Sequence, residues 1–63
     1  MESIANKQIR DSLRVEDIKY WMVAKELGIT ASAFTVWMRS ELSEDRRQRV
    51  EAAIDVIIAR RKE

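Results

Sequence analysis

The sequence has no cysteine, no histidine and no proline, and it has a single glycine. Without thiols there is neither a disulfide framework nor a thiolate metal centre, and without imidazole any zinc site would rest on carboxylates alone. The usual nucleophile pairs and imidazole bases are missing too, and one glycine cannot build a glycine-rich phosphate loop. The carboxylates recur on the sides of helices that face solvent. No enzyme is therefore expected, with no catalytic residue, no metal and no cofactor. No apolar run approaches the roughly 20 residues that a bilayer span needs, and the opening MESIANKQIR lacks the basic and then apolar order of a signal peptide. The expectation is a cytoplasmic protein with no membrane partner. No tract rich in glycine, serine or proline and no internal repeat divides the chain, so one domain is expected over residues 1–63.

Hydrophobic residues make up 46% of the chain and charged residues 37%, the mixture of helices with one oily and one solvated side rather than of a disordered tail. A chain of 63 residues hides only about 60% of its unfolded surface, so stability must come from close packing or from a second copy. An all-α fold, a compact bundle of four helices, is expected. The formal net charge is only +1. Between Ile18 and Ser40, however, Lys19, Lys25 and Arg39 face Glu26 alone, a local excess of two positive charges.

The first helix is expected to start near Ser3 or Asn6, either of which suits an N-cap, to carry Ile9 and Leu13 on one side, and to end around Arg14 to Glu16. Asp17 is the best cap available to a second helix, Tyr20 to Leu27, whose apolar residues are Val23, Ala24 and Leu27. Gly28 should stop it, because glycine takes up positive φ without a Cβ penalty. Thr30 then caps a third helix, Thr30 to Arg39, with Phe34, Trp37 and Met38 on its inner side. A fourth helix follows Ser43 as cap, with Glu44 and Asp45 at the positive end of its dipole and Arg60, Arg61 and Lys62 at the negative end. Its buried stripe is Val50, Ala53, Ile54, Ile57 and Ile58.

Two short helices around a tight glycine turn have the shape of a helix-turn-helix. The stretch YWMVAKELGITASAFTVW resembles the phage repressor and Cro type of that motif at Ala24, Leu27, Gly28, Ile29, Phe34 and Trp37, and LSEDRRQRVEAAI resembles the last helix of small helix-turn-helix proteins from phages and mobile elements of Gram-positive bacteria. Together these cover about two thirds of the chain. The resemblance implies sequence-preferring binding of double-stranded DNA by a small transcriptional regulator, with the third helix in the major groove. The outward residues of that helix are Ala31, Ser32, Thr35, Val36 and Arg39, with Thr30 at its tip. Arg39 alone among them offers the bidentate geometry that reads a base pair, so the others would supply methyl contacts or single hydrogen bonds. A three-helix core that never meets nucleic acid has use for the same glycine turn and apolar stripe. The corresponding function is a protein-interaction module that binds a repressor or another regulator.

Phosphate anchoring falls to Lys19, Tyr20 and Arg46 or Arg47. These repressors often carry glutamine at the start of the second helix, where this chain has Tyr20; a phenol still donates one hydrogen bond to a phosphate. Arg46 and Arg47 either clamp flanking phosphates or pair with Glu44 or Glu51. In KYWMVAK, Trp21 and Met22 are expected to pack toward the first and fourth helices, the other reading being a partner-binding anchor. Ala52, Val56 and Ala59 form a second apolar strip, and a homodimer through residues 50–59 is one use for it.

Overall fold

Residues 5–61 are described by the computed structural model, and they form four helices and no strand. The order is α1 (Lys7–Val15), α2 (Tyr20–Leu27), α3 (Ala31–Met38) and α4 (Glu44–Arg61). Ser3 and Lys62, expected as a cap and as a terminal cation, lie outside the described residues. None of these helices is long and apolar enough to cross a membrane.

Local chemistry accounts for most of the helix ends. Thr30 caps α3, its Oγ1 accepting from the Ala33 backbone N–H at 3.0 Å, and Ser43 does the same for α4 through Arg46 at 3.3 Å. Glu44 and Asp45 occupy the first turn of α4, and Arg60 and Arg61 the last, each sign placed against the opposite end of the helix dipole. At the end of α2, Gly28 has φ 80°; its N–H donates to Lys25 O at 3.2 Å and the Ile29 N–H to Ala24 O at 3.0 Å. That is the paired closure of a Schellman motif, which satisfies two carbonyls a helix end otherwise leaves open.

The same closure ends α1, but without a glycine. Asp17 has φ 54°, its N–H donates to Arg14 O at 3.2 Å, and the Ile18 N–H donates to Leu13 O at 2.8 Å. Asp17 is therefore not the cap of α2, as its residue type suggested; the N-cap position belongs to Lys19. Aspartate suits an N-cap and also tolerates the left-handed region, and the turn claims the second property. The two turns should respond oppositely to substitution. Nothing lies within 4 Å of a Cβ built on Gly28, so Gly28→Ala meets only the strain of positive φ and is expected to cost about 1 kcal/mol. Asp17→Gly is expected to stabilise the fold by roughly 0.5 kcal/mol, since the exposed Asp17–Lys19 pair it removes is worth little. Urea unfolding of the two variants checks both signs.

The core lies where the helices meet. Phe34, Met38, Val23 and Val50 are fully buried, and Ile9, Leu13, Ala24, Ala53, Ile54 and Ile57 close around them. Tyr20 meets Phe34 edge to face, ring centroids 5.0 Å apart at 81°. Leu27, Ile29, Trp37 and Ile58 pack half-buried against this centre. Ile18 and Leu42, from the connecting segments, are buried as well.

Asn6 holds the N-terminal position of α1 but does not cap it. At φ 58° its side chain turns away from the helix and ties α1 to the segment between α3 and α4. Its Nδ2 donates to Ser40 O at 2.9 Å and Met38 O at 3.4 Å, and its Oδ1 accepts from the Leu42 N–H at 2.9 Å. Arg10 reinforces the junction: Nε donates to Ala5 O at 2.8 Å, one Nη to Met38 O at 2.7 Å, and the other to the Tyr20 hydroxyl at 3.1 Å.

Candidate nucleic-acid interface

Phe34 and Met38 seat α3 against the core, and this sets what the helix turns outward. Ala31, Ser32, Thr35, Val36 and Arg39 are all exposed, as is Thr30 at the N-cap. Two of the polar groups on this face are already engaged. The Thr30 hydroxyl oxygen accepts the capping bond, and the Thr35 hydroxyl donates to Ala31 O at 3.0 Å. Thr35 consequently presents a methyl group and an acceptor. The side chains of Ser32 and Arg39 have no hydrogen-bond partner among the described residues. Val36, 57% exposed, supplies an apolar contact to the same face.

The two arginines at the start of α4 diverge. Arg46 stacks on the Trp37 ring with its guanidinium carbon 4.4 Å from the centroid, which holds a cation beside α3. Arg47 pairs with Glu51 at 3.2 Å and donates to the Gln8 Oε1 at 2.7 Å, so it faces α1. Lys19 is exposed and pairs with Asp17 at 3.1 Å. The Tyr20 hydroxyl accepts from Arg10, which leaves its own hydrogen to donate, while its ring serves the core. Among the described residues, Arg10, Lys25, Arg39, Arg46 and Arg61 form no ion pair. Arg39 and Arg46 thus bring two charges without a carboxylate partner among the described residues to α3, one on its C-cap residue and one across Trp37.

Trp21 departs from the expectation for KYWMVAK. It is 59% exposed, whereas Met22 is half-buried against the core. With Val23 and Ala24 turned fully inward, Trp21 is left at the edge of the buried side of α2, beside the C-terminal turns of α4, because a single helix cannot bury four consecutive residues. Ala52, Val56 and Ala59 are exposed along α4, beside a shallow groove that also touches Leu27.

Sequence reasoning missed Arg10 and the cross-chain role of Asn6. An asparagine before a helix carries the signal of a local cap, and nothing in the spacing points to carbonyls more than thirty residues away. Compared with known proteins, the chain matches no protein-family model, no curated protein and no solved structure.

Proposed function

We propose that the protein binds double-stranded DNA as a small cytoplasmic, non-catalytic transcriptional regulator of the repressor and Cro type. In this reading α2, the Gly28 turn and α3 act as a helix-turn-helix, and α3 enters the major groove. The observation that carries the proposal is the outward face of α3, where the side chains of Arg39 and Ser32 have no hydrogen-bond partner among the described residues; Arg46, stacked on Trp37, adds a cation next to the same helix.

Arg39 makes the bidentate contact to guanine, Ser32 contributes a single hydrogen bond, and Ala31, Val36 and the Thr35 methyl meet thymine methyl groups. Arg46, Lys19 and the Tyr20 hydroxyl anchor phosphates, which position the helix without reading sequence. With one bidentate reader, discrimination is modest, and DNA shape supplies part of it. The exposed strip Ala52, Val56 and Ala59 supports a symmetric dimer that would match a two-fold site.

Binding to duplexes across a range of salt concentrations tests the reading. Affinity is expected to fall linearly with salt on logarithmic axes, because phosphate contacts release counterions. Arg39→Ala is expected to lower affinity for a preferred duplex by about 1–3 kcal/mol and to flatten the sequence preference. Arg46→Ala should weaken all sequences alike and reduce the salt slope by about one. An Arg39→Ala protein with unchanged affinity and preference would remove α3 as the reading helix.

The exposure of Val36 in the middle of a weakly polar face favours a second reading, in which α3 docks on a repressor or another regulator. Failure to bind any duplex at low salt, with the fold intact, would select it.

A further inference from the structure

Trp21 is the exposed aromatic side chain among the described residues, and it borders a groove of about 280 Å³ between α2 and the C-terminal turns of α4. Met22 and Ile57 supply the rest of the apolar lining, and Lys25, Arg60 and Arg61 supply cations. The one carboxylate in the groove, that of Glu26, is already held by Arg60 at 2.7 Å. Lys25 has no ion-pair partner among the described residues. Arg61 donates to the backbone carbonyls of Glu16 and Asp17, which fix its position, and no carboxylate among the described residues pairs with it. An apolar lining therefore carries an excess of two positive charges.

We propose that this groove docks an acidic protein segment bearing an aliphatic or aromatic anchor. The anchor packs on the Trp21 indole between Met22 and Ile57, and flanking carboxylates reach Lys25 and Arg61. Tryptophan and arginine are the residue types that most often concentrate binding energy at such contacts. Charge argues against a second copy of this chain meeting itself here, because a two-fold contact would oppose two cationic patches. A nucleic-acid backbone satisfies the cations but leaves the apolar lining wet. The groove is also remote from α3. Arg46, which stacks beside α3, and Arg60, which lines the groove, are separated along α4 by about 21 Å at 1.5 Å per residue. The groove and the outward face of α3 are thus different surfaces, although Lys19 and Tyr20 adjoin the groove, and the inference stands whichever ligand α3 takes.

The test is an NMR titration of the isotopically labelled full chain with a synthetic amphipathic peptide that has glutamates on one face and leucines and a phenylalanine on the other. The two indole N–H signals act as internal probe and control. The Trp21 signal is expected to shift while that of Trp37 stays in place. Trp21→Ala is expected to weaken the peptide by at least about tenfold and to leave the fold intact, since the side chain fills no core space. Lys25→Glu should weaken it severalfold. Equal binding of the same peptide with lysines in place of glutamates would overturn the proposal. So would an unmoved Trp21 signal, or a random-sequence duplex that shifts the Trp21 signal equally in the parent protein and in an Arg39→Ala, Lys19→Ala variant, which would make the groove itself a nucleic-acid site.

Discussion

Asn6→Ala is expected to lower the free energy of unfolding by about 3 kcal/mol, a large share of what a domain this small possesses. Asn6 is 5% exposed, and its side chain serves both partners of a junction: the amide nitrogen holds the carbonyls of Ser40 and Met38, and the amide oxygen holds the N–H of Leu42. Alanine leaves that buried N–H without an acceptor, which by itself costs about 1–3 kcal/mol. A further contribution of roughly 1 kcal/mol comes from placing alanine at a φ of 58°. Asn6→Gly separates the two. It deletes the amide and relieves the backbone, so its loss should be smaller by the strain alone. Urea unfolding followed by circular dichroism measures all three proteins; an Asn6→Ala variant within about 0.5 kcal/mol of the parent would show that the junction holds without this side chain.

Phe34→Ala should cost more, about 3–5 kcal/mol, and is expected to leave the chain largely unfolded at room temperature. The Phe34 ring is fully buried and receives the edge of Tyr20, so its removal opens a cavity at the point where α2 and α3 are wedged together. Phe34→Leu keeps most of the volume and should stay folded, at a cost under about 1.5 kcal/mol. Near-ultraviolet dichroism from Tyr20 and the tryptophans distinguishes a folded core from a collapsed one in both variants. Cooperative unfolding of Phe34→Ala at nearly the parental denaturant concentration would mean that the wedge is not the centre of stability. The pair also guards the test of the proposed function: loss of any DNA binding in Phe34→Ala would report on the fold, and only a folded variant such as Arg39→Ala would report on the proposed interface.

Where the helices run was largely legible because the signals are local. Ile9 and Leu13 lie one turn apart in α1, and Val50, Ala53, Ile54 and Ile57 repeat at helical spacing in α4; all six are buried. Thr30, Ser43 and Gly28 mark boundaries by chemistry contained within a few residues, and each does so in the structure. Ile18 and Leu42 were not legible as core. Each is a single apolar residue in a connecting segment, and one residue has no period. Asp17 and Asn6 were legible as helix-end residues but not as the kind they are, because the same short polar side chains suit an N-cap and a left-handed turn.

The candidate site divides along the same line. That Ala31, Ser32, Thr35, Val36 and Arg39 share an outward face follows from the burial of Phe34 and Met38 at fixed helical spacing. Where the cations of α4 lie relative to α3 does not. Arg46 and Arg47 are neighbours in sequence, yet one stacks on Trp37 and the other reaches Gln8, because a helix separates consecutive side chains by about 100° and different elements lie on the two sides.

The sequence by itself determined the helical class, the positions of the turns, the inward stripes and the absence of thiol and imidazole chemistry, since each depends on residue type and on spacing within a turn or two. Only the tertiary structure decided that Asn6 clamps rather than caps, that Arg10 braces Tyr20, that Arg47 turns toward α1 and that Trp21 stays outside. The Asn6 bond to Leu42 joins residues 36 apart and the Arg47 bond to Gln8 residues 39 apart. At such separations a hydrogen bond is set by how whole helices pack, and no periodicity along the chain encodes that.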